Sequence, residues 1–196
     1  MTLHHTSRTE SLHPDFVAVG GTMMTSTAAK ALSVLRVATG FIFLWAFLDK
    51  TFGLNYSTPS AKAWINGGSP TKGFLSSVKA GPLESTFHSM AGAGVVNWLF
   101  MLGMLGIGVA VIAGVALRIS AVAGVLIMAG MWLAEFPLAQ HTSAGKPSGS
   151  VNPLVDYHLI YAIALVILAA TYAGTTWGLG RTWAKLPFVR DHRWAL

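Results

Sequence analysis

The residues able to do chemistry in this chain are few, and they stand where apolar runs end. Asp49-Lys50 closes the first apolar run, and Glu135 stands near the end of the third, followed by His141. Asp156 and His158 open the fourth, while His88 and Asn97 lie around the start of the second. If successive runs are helices of alternating direction, all these positions fall at one level. Charge in a lipid-facing helix is costly, so such groups turn inward and pair with one another. Asp49, Glu135 and Asp156 are expected to pair with Lys50, His88, His141 and His158. A carboxylate–imidazole set of this kind moves protons, because histidine titrates near neutral pH and neighbouring carboxylates tune it. Glu135, Asp156, His158 and Asp49 are therefore the catalytic candidates. Lys50, His88, His141 and Arg36 are the candidates for binding an anion or a polar headgroup. Tyr161 and Trp132, with Tyr157 and Trp45, are expected to line an apolar slot. The plainer reading stands beside this one: helix ends are where interfacial charge belongs, and each residue can simply meet water and headgroups. Arg36 in particular can snorkel to headgroups.

Other chemistry is excluded or unsigned. The chain has no cysteine, which removes disulfides, thiolate zinc sites, iron–sulfur ligation and thiol redox chemistry. No His-x-x-His or Glu-x-x-His spacing occurs, and Asp156-x-His158 alone is not diagnostic, so no metal is assigned. No glycine-rich phosphate loop or flavin motif is present, so electrons in any redox reaction must be held by a bound quinone or a partner subunit.

The elements that must position these residues are membrane helices. Of 196 residues, 53% are apolar and only 10% charged, with a mean hydropathy of +0.57. An average soluble domain carries roughly 25% charged residues, so a soluble enzyme, a disordered chain and a nucleic-acid binder are excluded. The hydropathy pattern predicts an all-α, integral membrane four-helix bundle with spans at about 31–50, 95–117, 119–138 and 157–176. The first is read as uncleaved, since Arg36 interrupts it and no small-x-small site follows. Arg118 is expected to mark the turn between the second and third spans. Residues 1–30, with His4, His5 and His13, read as a polar flexible tail, and 178–196 as a basic cytoplasmic tail. The long first connection reads as short interfacial helices: one stopped at Gly67-Gly68, one opened by Ser69-Pro70, one opened by Gly81-Pro82. Gly106, Ala110 and Gly114, four residues apart, are expected to line a close helix–helix contact.

The net charge of +6 places most arginines beside both termini. That excess predicts a multi-pass protein of the cell membrane, both termini cytoplasmic and the first loop outside. The bilayer is one partner. Other protein subunits or a homo-oligomer are the expected others, and nucleic acid is not.

Arg36 in RVATGFIFLWAFLDK, the stretch WINGGSPTKGFL from Trp64 to Leu75, and NPLVDYHLIYAIALVILAATYAGTTWGLGRTW from Asn152 to Trp183 together resemble the DoxX/DoxD-like family of small four-helix membrane proteins. The resemblance runs from about 31 to 190 and rests on order, spacing and topology. It implies two roles. One is a subunit linked to thiosulfate:quinone oxidoreduction, passing electrons from a small sulfur anion to a membrane quinone. The other is a non-catalytic scaffold or accessory subunit of a redox or stress-response enzyme. It carries no agreed catalytic motif, so no residue role follows from it. A small transporter is a third reading, disfavoured because the chain shows no internal repeat.

Overall fold

Thr25 begins the helical part of the chain. Its side-chain oxygen accepts from the Ala28 N–H at 3.2 Å, satisfying one of the free amides of a helix start. The structure, a computed structural model, describes residues 16–19 and 22–196. Strands β1 (Phe16–Val19) and β2 (Thr22–Thr25) pair antiparallel, with Val19 opposite Thr22. They lead into α1 (Ser26–Phe52), followed by α2 (Lys72–Ser76), α3 (Glu84–Met90), α4 (Gly94–Ala113), α5 (Leu117–Glu135), α6 (Tyr157–Ala170), α7 (Gly180–Trp183) and α8 (Pro187–Asp191). The expected tail over 1–30 thus gives way, from residue 16, to a paired strand segment and the first turns of α1. His4, His5 and His13 lie outside the described residues.

The chain is mainly helical, and α1, α4 and α5 are long and apolar enough to cross a membrane. Helix α6 has 14 residues, about 21 Å at 1.5 Å per residue, against roughly 30 Å of hydrocarbon. Its outward residues Ile160, Ile163, Val166 and Ile167 are nonetheless apolar and exposed. They join Val34, Val37 and Phe41 of α1, Leu99, Leu102 and Val109 of α4, and Val122 and Leu126 of α5. An exposed apolar belt on this scale marks contact with lipid.

Helix α1 packs along α4, α4 against α5, and α5 along α6. Phe43, Met104, Ile107, Val111, Met128, Leu165 and Leu168 fill the space between them. The close approach of α1 and α4 is set by Gly40 and Gly108. A Cβ on Gly108 would stand 2.6 Å from the Leu44 nitrogen, and one on Gly40 would stand 2.8 Å from the Ile112 nitrogen. Gly106 is exposed, and a Cβ there would meet nothing within 4 Å. Of the expected small-residue face Gly106 is thus open and Gly114 meets Gly174, where a Cβ would stand 2.7 Å from its Cα, while residue 108, two positions on from Gly106, faces α1. Regular spacing identifies a stripe but not its neighbour.

The turn between α4 and α5 also falls earlier than Arg118. Gly114, at φ 75°, takes the left-handed conformation that glycine tolerates best, and its N–H donates to Ala110 O. Val115 N–H donates to Ala110 as well, at 3.0 Å, and closes the helix end. Arg118 lies in the first turn of α5, where its guanidinium donates to Tyr172 Oη and to the Arg193 carbonyl.

The first connection folds much as its punctuation predicts. Gly67 at φ 84° stops a short 3-10 segment at Trp64–Asn66, and Ser69 Oγ accepts from Lys72 N–H at the start of α2. Buried Asn97 on α4 accepts from Ser69 Oγ, Thr71 N–H and Thr71 Oγ1, which pins this connection to the membrane helices. The final residues are not free either. Leu179 N–H donates to Ala113 O, Trp183 Nε1–H to Ala195 O at 2.7 Å, and Arg118 N–H to Leu196 O at 2.8 Å. Residues 178–196 thus fold back as a basic cap on the ends of α4, α5 and α6.

Candidate functional site: a carboxylate–imidazole cluster at the end of α5 and α6

Helices α5 and α6 run side by side, so the last residue of one meets the first residues of the other. Asp156 is the cap of α6: its Oδ1 accepts from Leu159 N–H at 3.0 Å. Its other oxygen, Oδ2, accepts from His158 Nδ1–H at 2.9 Å. His158 is 1% exposed and turned into the helix interior, and its Nε2 has no partner. Glu135 Oε2 stands 3.9 Å from the same Nδ1, and Glu135 Oε1 accepts from Tyr157 Oη at 2.7 Å. The Tyr157 and His158 rings lie 4.1 Å apart.

Burial raises the Asp156 carboxyl, but hydrogen bonds from Leu159 N–H and from His158 outweigh it and hold the group below its ordinary range. Asp156 is thus an anion that orients the His158 ring through Nδ1–H, while Nε2 faces the packed interior without a partner among the described residues. Glu135 is partly solvated and reached through Tyr157. The arrangement can take up, hold and return a proton. One oxygen from each of Glu135 and Asp156 and one nitrogen of His158 lie within 4.8 Å of one another, a donor set that a divalent cation can also use. The spacing in the sequence gave no sign of it, because Glu135 comes from another helix.

Three cavities open at this end. One of about 660 Å³ is bordered by Glu135, Asp156 and Tyr157, together with Val78, Lys79 and Ser150. A second, about 600 Å³, shares Lys79 and Ser148 with it and adds Lys146 and Glu84. The third, about 460 Å³, is apolar: Phe87, Leu99, Phe100 and Met131 line it, and Lys50 is its one charged residue. Phe74 borders both the first and the third.

The other sequence candidates are distributed around this centre. Asp49 is buried but turns to the following loop, accepting from Tyr56 N–H, Ser57 N–H and Ser57 Oγ. Those bonds satisfy it without a cation, so it stands as a loop anchor and not as a member of the cluster. His88 is exposed and donates Nε2–H to Val78 O at 2.9 Å, which places it behind the cavity wall. His141 is exposed in the loop after α5, bridged to Pro147. Trp132 donates Nε1–H to Leu154 O, tying that loop to α5, and Tyr161 stacks edge-on to Tyr157, 6.0 Å between centroids. Arg36 lies at the opposite end. It is fully buried, and its Nη1 donates to Val111 O at 2.8 Å and to Ile112 O, its Nη2 to Trp177 O at 2.8 Å. The last carbonyls of α4 have no intrahelical donor, and Arg36 supplies one. Both terminal nitrogens are thereby engaged by backbone carbonyls, while the buried Nε–H has no partner among the described residues.

Sequence reasoning missed Lys79, which looked like one of several loop lysines, and the Tyr157–Glu135 bond. Neither has a local signal, since both depend on the fold of the connecting loops. Compared with known proteins, the chain matches no family model, no curated protein and no solved structure.

Proposed function

We propose that the chain is a DoxX-like four-helix membrane subunit that couples oxidation of a small sulfur anion such as thiosulfate to a membrane quinone. The observation that carries this reading is the adjacency of three cavities: one bordered by Lys79, Lys146 and Glu84, one by Glu135, Asp156 and Tyr157, and one that is apolar apart from Lys50, the first two sharing Lys79 and the last two Phe74. A quinone fits the apolar slot by chemistry, since ring and tail prefer the hydrocarbon wall and Lys50 can donate to a ring oxygen. When bound, it would accept two electrons from two thiosulfate ions, whose terminal sulfurs join in an S–S bond to give tetrathionate, and two protons drawn from the water at this face. Lys79 and Lys146 attract the sulfur anion, which the two carboxylates would repel from the middle cavity. Glu135 and Tyr157, which border the intervening cavity, hold and pass protons there, and His158 stands behind them on Asp156. Helix α6, though short, completes the four-helix arrangement by covering α5.

The experiment is quinone reduction by thiosulfate in vesicles holding the purified protein. Lys50→Gln and Glu135→Gln are each expected to lower the rate by tenfold or more, the usual scale for a positioned proton-transfer group. Lys62→Gln, outside all three cavities, should leave it unchanged. Absence of thiosulfate-dependent reduction in the native protein, with no quinone retained on purification, overturns the reading. A stoichiometric partner enzyme in that preparation would instead make the chain an accessory subunit.

A further inference from the structure

The end of the molecule opposite the cluster holds a second place built for a ligand. The folded-back C-terminal segment does not close flush against the helices. It leaves a cavity of about 440 Å³ between α7 and the ends of α5 and α6. Leu117, Ala169 and Tyr172 form its apolar side, and Arg181, Lys185 and Arg193 contribute three cations. Among the described residues no carboxylate lies within 4.0 Å of any of those three. The neighbouring cation, Arg118, is occupied by Tyr172 Oη and Arg193 O, with its guanidinium 5.4 Å from the Tyr172 ring. Exposed and without a carboxylate partner among the described residues, Arg181, Lys185 and Arg193 make the cavity positive and favourable to an anion.

The surroundings say what kind of anion. Trp177, Phe188 and Trp194 are more than half exposed on this same end, and aromatic rings of that sort settle at the headgroup level of a bilayer. At the level of the cavity the exposed apolar belt of α5 and α6 begins with Ile119 and Ile167, each two residues from the lining Leu117 and Ala169. A ligand held here therefore has its anionic part among Arg181, Lys185 and Arg193 and its apolar part along the helices. We propose that this cavity is a binding site for an anionic phospholipid, the phosphate held by the three cations and an acyl chain laid against Leu117 and Ala169. Basic pockets between helix ends commonly hold acidic lipid headgroups. The consequence is structural coupling: the same cap receives Arg36 through Trp177 O, so lipid binding stabilises the end of α4.

The test uses the full chain, delipidated in neutral detergent and titrated with phosphatidylglycerol, phosphatidylcholine or inorganic phosphate. Retained lipid is read by native mass spectrometry and the midpoint of thermal unfolding by a melting assay. One phosphatidylglycerol per chain should survive and raise the midpoint, while phosphatidylcholine should not. The triple variant Arg181→Gln/Lys185→Gln/Arg193→Gln should bind phosphatidylglycerol roughly a hundredfold more weakly. The control Lys62→Gln/Lys72→Gln, outside all four cavities, should bind as the native chain does. Ala184→Trp fills the cavity with no change of charge and should also abolish retention, so a folding defect in the triple variant does not leave the question open. Equal retention by the native chain and Ala184→Trp overturns the site. Equal stabilisation by inorganic phosphate overturns the lipid and leaves a simple anion site.

Discussion

At the residue scale, Asp156 serves two purposes with two oxygens: one caps α6 and the other orients His158. Asp156→Asn keeps a capping oxygen, whereas Asp156→Ala loses both partners and should destabilise the protein by about 1–2 kcal/mol in detergent unfolding. The sign of the pH effect follows from the lowered carboxyl. The unfolded chain protonates first as pH falls, at about pH 4. The stabilisation is complete above that value and is lost as pH drops through the lower folded-state value. Between pH 5 and 3 the native protein should therefore lose more stability than Asp156→Asn, and parallel curves would remove Asp156 as the source. Arg36 is the other residue with a sharp expectation. Arg36→Met takes the donor from the carbonyls of Ile112 and Trp177, leaves Val111 O with the Gly114 N–H alone, and should cost about 3 kcal/mol. A melting point unchanged by that substitution would contradict the role of its guanidinium as a staple.

At the element scale, the contact between α1 and α4 depends on two positions with no side chain. Gly108→Leu forces a side chain into the Leu44 backbone and should cost about 3 kcal/mol or more, while Gly106→Leu, pointing into open space, should change stability by under about 0.5 kcal/mol. Comparing the two melting points checks the rotation of α4 directly, since a helix turned by two residues would exchange the outcomes. Both glycines lie in the same apolar run, and neither composition nor spacing separates them. Only the partner helix does, because a Cβ is costly where another backbone stands within contact distance.

At the scale of the whole molecule, the two ends differ in chemistry: carboxylates and a buried histidine at one, arginines committed to backbone or to a cavity at the other. Positive charge at the termini predicts that the arginine-rich end faces the cytoplasm. Single cysteines at Ser57, Ser148 and Arg190 test this, since the native chain has none. An impermeant thiol reagent on intact cells should label the first two and not the third. Arg190 suits the purpose because its side chain is 70% exposed, whereas Ala195 beside it in sequence is buried. Labelling of Arg190→Cys alone would invert the orientation.

The sequence by itself determined the class and most of the elements. Long runs without charge must be helices if their backbone is to be satisfied away from water. Gly67, Ser69-Pro70 and Asp156 carry local conformational preferences strong enough to mark helix boundaries from four or five residues alone, whereas the stop at Gly114 reads as a packing position inside the second span. It also determined that Glu135, Asp156 and His158 would lie at one level, because helix direction alternates. What only the tertiary structure decided is which of the polar groups meet. Asp49 and Glu135 read alike as carboxylates at helix ends, yet Asp49 is satisfied by the Ser57 turn and Glu135 by Tyr157 across the α5–α6 contact. Arg36 read as a residue for headgroups or anions and instead completes the end of α4. Such choices depend on which segments meet, whether 8 residues apart, as Asp49 and Ser57 are, 22, as Glu135 and Tyr157 are, or 141, as Arg36 and Trp177 are. The hydrogen-bonding need of a buried group is local, but its satisfaction comes from whichever backbone the packing of glycines and apolar faces brings within 3 Å.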